Sequence, residues 1–242
     1  MSSLVRKYWF LTLGSLLFFA SVSLAQSPVN MVLTGVNPTG YNLDGVYTSP
    51  YQATINGVSA TVICDDFADE SNIGESWQAT ATNLATVGNS TAAKWDPFIG
   101  VSEQTLYDQV AWLSTQLLAA SGNAELQADI GFAIWQATCT ESTGVNIGNQ
   151  CSASNLPFAG LSGTDLSTAQ SYLTLAENQP YTAGEFSNFT IYTPVSGTSN
   201  PPQEFIVETP ESSTAVMLSA DLFGLIGLAF VFRRRLLRPI TL

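Results

Sequence analysis

Apolar and polar residues alternate weakly over residues 29–34, and that period-two pattern predicts a first strand. The polar stretch 37–44, with Pro38 and Gly40, reads as a loop. A second strand is expected over 46–55, interrupted by Pro50. Asn56-Gly57 is a strong two-residue hairpin signal and leads into a third strand at 58–64. Alternating Thr residues around Trp77 predict another over 75–84. The period then changes. Ser102 can cap a helix from Glu103 to about Ala120, on which Leu106, Val110, Leu113 and Leu117 form an i, i+3/i+4 stripe. Gly122-Asn123 ends it, and a second helix over about 124–137 turns Leu126, Ile130, Ala133, Ile134 and Ala137 inward. Thr164 is expected to cap a third over 165–177. Alternation returns at 186–193, and 203–207 pairs back across a turn at 194–202. The pattern predicts an α+β body, with β-sandwich or barrel-like strands at both ends and a helical region inserted between them.

The two ends follow a different pattern. Residues 1–25 have the form of a secretory signal peptide: Arg6 and Lys7 give a positive start, 9–20 an apolar stretch, and Ser23-Leu24-Ala25 a small-x-small cleavage site. At the other end, residues 214–232 form a 19-residue apolar segment. As a helix it would span roughly 28 Å, close to the thickness of a bilayer's hydrocarbon core. Arg233, Arg234, Arg235 and Arg238 follow it, and the positive-inside rule would keep that tail cytoplasmic. Asp221 interrupts the segment at a cost of about 2.5–3.5 kcal/mol on insertion scales. A signal peptide at 1–25, an extracytoplasmic body at 26–208 and a C-terminal segment at 209–242 with a single transmembrane helix are therefore expected. Export would run through the Sec translocon.

Charge narrows the function of the body. It carries 17 Asp and Glu against one Lys, Lys94, and has no Arg and no His, for a net charge of −16. Such a surface repels phosphate backbones, so no nucleic-acid partner is expected. Without His there is no Ser-His-Asp or Cys-His pair and no His-ligated metal. Carboxylate chemistry, such as a glycosidase pair, is what remains for catalysis. Asp65, Asp66, Asp69 and Glu70 lack the spacing of an EF-hand loop and read as a solvated acidic loop, with no metal and no cofactor expected. Trp77, Trp95 and Tyr51 could stack on sugars, but core packing is their default role.

Three cysteines occur in the chain. Export permits disulfides, and Cys139 and Cys151 close a short loop rich in Gly, Asn and Thr, so they form the expected pair. Closing it would constrain the unfolded chain by roughly 3 kcal/mol on the chain-entropy model. Cys64 is left over, as a buried apolar thiol, an intermolecular bridge or a reactive group.

Residues 208–242, with Pro210-Glu211 in a short polar motif at 209–213, then the apolar segment 214–232 and the basic tail 233–242, resemble the bacterial PEP-CTERM sorting signal. Ser212 stands where that signal has its second Pro. The resemblance implies recognition at Pro210 and Glu211 by an exosortase-type processing enzyme, with Arg233, Arg234 and Arg235 as the cytoplasmic stop. It also implies delivery to the cell envelope or extracellular matrix after transient anchoring in the inner membrane.

A second resemblance lies within the body. Cys64-Asp65-Asp66-Phe67 at a strand end, Tyr107–Leu113, and Ala133-Ile134-Trp135 on a helix are similar to the thioester (TQxA-type) domain family of bacterial surface adhesins. In that family a strand Cys and a helix Gln condense to an internal thioester. The motif places Gly131 at the Gln position, and glycine has no carboxamide. Gln127 lies one helical turn earlier. The resemblance therefore implies a retained scaffold with lost covalent chemistry and Cys64 as a buried structural thiol. The expected function is a structural or adhesive, non-catalytic surface protein that binds an exopolysaccharide or another surface polymer. The alternatives are a covalent thioester-type adhesin and a carboxylate-only glycosidase of the envelope.

Overall fold

A computed structural model describes residues 28–36, 42–43, 45–89, 93–94, 102–139, 156–195 and 201–209. The expected signal peptide, sorting motif, apolar helix and arginine tail lie outside them, as do Trp95 and Cys151. Among the described residues no helix is long and apolar enough to cross a membrane.

Among the described residues, eight strands and three α-helices follow one another in the expected α+β order. They are β1 (Val29–Val36), β2 (Asn42–Leu43), β3 (Val46–Tyr47), β4 (Tyr51–Ile55), β5 (Val58–Cys64) and β6 (Ser76–Asn83). Then come α1 (Glu103–Ala119), α2 (Ala124–Thr138), α3 (Gly163–Glu177), β7 (Phe189–Pro194) and β8 (Phe205–Glu208). Six strands close an antiparallel barrel in the order β1-β4-β5-β8-β7-β6, and β2-β3 is a separate two-stranded ribbon. The barrel is thus built from both ends of the body, with the helices inserted between β6 and β7.

The local signals account for much of this. Asn56 (φ 50°) and Gly57 (φ 82°) take the left-handed conformations that a tight hairpin turn needs, and they set the β4–β5 register of Ile55 against Val58. Ser102 accepts the Thr105 N–H at 3.1 Å and caps α1; Asn123 does the same for α2 through Leu126 N–H at 3.2 Å.

Four expectations need correction. The strand expected over 46–55 splits at the cis Ser49–Pro50 bond into β3 and β4. The loop expected at 37–44 contributes β2 as the partner of β3. Helix α3 starts at Gly163 behind Ser162, without a side-chain cap, and not at Asp165 behind a Thr164 cap. Residues 183–188 form turns that hold Phe186 in the core, so β7 begins only at Phe189.

Two buried clusters divide the core. Barrel-lining Met31, Leu33, Val62, Cys64, Trp77, Ala79, Phe205 and Val207 join Phe132 and Trp135 of α2. Ile63, Ile191 and Ile206, on the opposite faces of β5, β7 and β8, pack against Leu106, Val110 and Leu113 of α1 and Ile130 and Ile134 of α2. Strands β5, β7 and β8 are therefore covered on both faces by the barrel interior and the helices. Tyr51 and Trp77 are both buried in the core.

Candidate functional site

The end of β5 carries most of the chemistry. Cys64 is fully buried. Its N–H donates to Ser49 Oγ at 2.9 Å, and its thiol donates to the Asp66 carbonyl at 3.2 Å. Burial pushes the thiol well above its ordinary pKa, and the Asp66 and Asp65 charges add to this, so the nucleophilic thiolate is disfavoured. Trp135 N–H lies near enough to oppose the shift slightly, yet makes no hydrogen bond of normal geometry.

Gly131 is buried on α2, where a Cβ would meet Thr48 Cβ at 3.7 Å and Ser49 N at 3.9 Å. Cys64 and Gly131 thus border the same Thr48–Ser49 segment, one through a hydrogen bond and the other through packing. The Gln127 carboxamide is committed elsewhere: its Nε2 donates to the Leu117 carbonyl at 3.1 Å. Cys139 is buried at the C-terminal end of α2, and its pairing with Cys151 falls outside the described residues.

The first half of the acidic stretch is not solvated, although Glu70 is exposed. Asp65 and Asp66 are both fully buried, and with Glu204, also fully buried, they form a carboxylate cluster around Lys94. Lys94 Nζ forms ion pairs with Asp66 Oδ2 and Asp69 Oδ2. Asp66 Oδ1 accepts the N–H groups of Ala68 (3.0 Å) and Asp69 (3.2 Å), while Oδ2 accepts that of Glu204 (3.1 Å). Glu204 Oε1 accepts from Tyr107 OH, and Oε2 from Thr193 Oγ1 and the Lys94 N–H. Neither carboxyl oxygen of Asp65 has a hydrogen-bond partner.

Burial dominates the titration of these acids. It lifts Glu204 to about 7, against the opposing Thr193 and Tyr107 bonds. It holds Asp65 well above the carboxylate range, with the Glu204 and Asp66 charges adding to it. Asp66 is raised as well, burial outweighing the pull of Lys94. For Lys94, burial works against the charge, but Asp66 and Asp69 prevail and raise it. Uncompensated buried anions are costly, so Asp65 and Glu204 are suited to holding protons near neutral pH.

Beside this cluster lies an open cleft of about 440 Å³. Its apolar walls include Val46 and Tyr47 of β3, Tyr51, Phe67, Ile73 and Trp135. Asp69, Glu70, Ser71, Asn72 and Gln203 supply its polar groups. Tyr47 and Ile73 are more than half exposed, at 53% and 60%. Among the described residues no group of three or more Cys, Asp or Glu side chains is arranged to hold a metal ion.

No protein-family model matches this chain, and no curated protein matches it. Among solved structures it is similar to a pilus-presented adhesin, Spy0125 (Cpa), solved as a cysteine-to-alanine mutant. The sequences are 14% identical, the match covers 77% of this chain and 49% of that one, and the TM-score is 0.43. The chain therefore spans about half the length of that structure.

Glu204, Tyr107 and Thr193 escaped the sequence reading as site residues. They come from the residue just before β8, from α1 and from β7, and meet only when the barrel closes. A signal was nevertheless present. Lys94 is the single cation among 17 acids in the body, and such a residue is a strong candidate for pairing. Glu204 also shares the period-two face of Ile206, a position that reads as inward.

Proposed function

We propose that this chain is an exported, surface-displayed protein that acts by non-covalent adhesion and not by catalysis. The observation that carries the reading is the open cleft bordered by exposed Tyr47 and Ile73. Gly131 supplies no side chain, and Gln127 is bound to Leu117, so capture of a ligand through a Cys64 thioester has no acyl donor. What the cleft offers is shape, aromatic surface and hydrogen bonding.

The sequence supports the address. The leader at 1–25 and the tail resembling PEP-CTERM signals fit export through the Sec translocon and processing near Pro210 and Glu211 by an exosortase-type enzyme. The product would reside in the envelope or matrix, its 139–151 loop closed by a disulfide. An exopolysaccharide or a comparable surface polymer is the ligand class in this reading. The negative, His-free body suits such a partner better than a polyanion.

The test is retention of the purified body on the matrix polymer of the producing cells, compared with Tyr47→Ala. Loss of retention in the variant, with unchanged thermal unfolding, is expected. Equal retention of the two proteins would remove the cleft from the account. No retention of either would remove the adhesive reading.

A further inference from the structure

We propose that Lys94 and Asp66 become joined by an intramolecular amide bond, which the folded protein forms on itself. This inference stands apart from the adhesive reading and rests on the buried cluster alone. Lys94 is the only side-chain amine between residues 26 and 208, and its Nζ already sits against the Asp66 carboxyl. Asp66 is fully buried, and the Lys94 side chain is only 19% exposed. Holding nucleophile and acyl group in contact replaces a bimolecular encounter, which is where intramolecular reactions gain most of their rate.

The acyl group is also prepared. Two backbone N–H groups, of Ala68 and Asp69, converge on Oδ1, and a third, of Glu204, lies on Oδ2. Fixed donors at these positions stabilise the negative charge that develops on Oδ1 when an amine adds to Cγ. Asp69, partly exposed, docks the ammonium from the other side. Burial of the pair favours condensation, because it replaces two desolvated charges with a neutral amide and keeps out the water that would reverse the step.

The reaction balances without any co-reactant. The Lys94 ammonium gives up one proton, its nitrogen forms a bond to Asp66 Cγ, and the Cγ–Oδ2 bond breaks. A second proton leaves the nitrogen, and Oδ2 departs with both protons as water. Glu204 adjoins both residues. Its Oε2 accepts the Lys94 backbone N–H at 3.1 Å, and its own N–H donates to the leaving oxygen at 3.1 Å. Asp65, with neither oxygen engaged, is a second buried carboxyl beside it.

The sequence makes the test simple. Lys94 is the only trypsin site in the body, and acylation of its side chain abolishes cleavage there. The full chain is purified folded, then reduced, denatured and digested. The expected result is a body that stays in one piece and is one water lighter than its sequence, with residues 66 and 94 joined inside it. Lys94→Arg keeps the charge but cannot form the bond, and it should be cut in two. Thermal unfolding of the variant verifies its fold. Wild-type protein cut cleanly at Lys94 with no mass deficit would overturn the proposal. A deficit of ammonia in place of water would overturn it too, pointing to Cys64.

Discussion

Cys64 and Asp129 show what burial does to single side chains here. Cys64 is enclosed by the barrel and its thiol is held protonated, so native protein at pH 8 should resist iodoacetamide and label fully only after unfolding. Mass analysis of protein alkylated before and after denaturation checks this. Asp129, on α2, is buried with Oδ1 unpartnered, and burial, aided by the Asp165 and Glu125 charges, raises it to about 7. Unfolded, such a carboxyl titrates near 4, so the folded state holds its proton over the interval between the two values. Its contribution to stability therefore falls as pH rises from about 4 to about 7. Asp129→Asn should gain more over wild type at pH 8 than at pH 4.5 in urea unfolding. Burial of Cys64 could be read from its place at the end of an apolar strand. Burial of Asp65 and Asp66 could not. Acids after a strand normally mark a loop, and their partners lie 28 residues away at Lys94 and 138 away at Glu204.

The elements were more legible, because their determinants are local. The β4–β5 hairpin, α1 and α2 follow from a turn dipeptide, two caps and a 3.6-residue stripe, all within a few residues of one another. Ser102→Ala removes the hydroxyl that accepts the Thr105 N–H and should cost about 1 kcal/mol by urea titration. Gly131 makes the opposite case. It sits in a helix interior, and a methyl group there would find ordinary contact with Thr48 at 3.7 Å. Gly131→Ala should therefore stabilise the protein by about 0.5–1 kcal/mol through helix propensity. The elements that departed from expectation lie where tertiary packing overrides pattern. Phe186 alternates in step with β7, but the turn it belongs to is fixed by its place against Tyr181 and Phe189.

For the whole molecule, the arrangement of strands around the barrel was out of reach of the sequence, since it depends on which distant edges meet. The carboxylate cluster sits where they do: β5 and β8 share only the pairs Ile63–Ile206 and Cys64–Phe205, and Asp66 with Glu204 continues that seam. Because Glu204 also titrates at about 7, the thermal midpoint should decline between pH 5 and 8, and Glu204→Gln should flatten part of that slope. Calorimetry across that range checks both. The split barrel has a further consequence for the order of events. A chain made from its N-terminus delivers β1 to β6 first, then more than a hundred residues before the two strands that complete the ring. Until residues 189–208 arrive, β5 and β6 present unpaired backbone edges, the kind that recruit foreign strands. A product cut short before Phe189 is thus an open sheet prone to aggregation, and the closed ring certifies a chain made at least as far as Glu208.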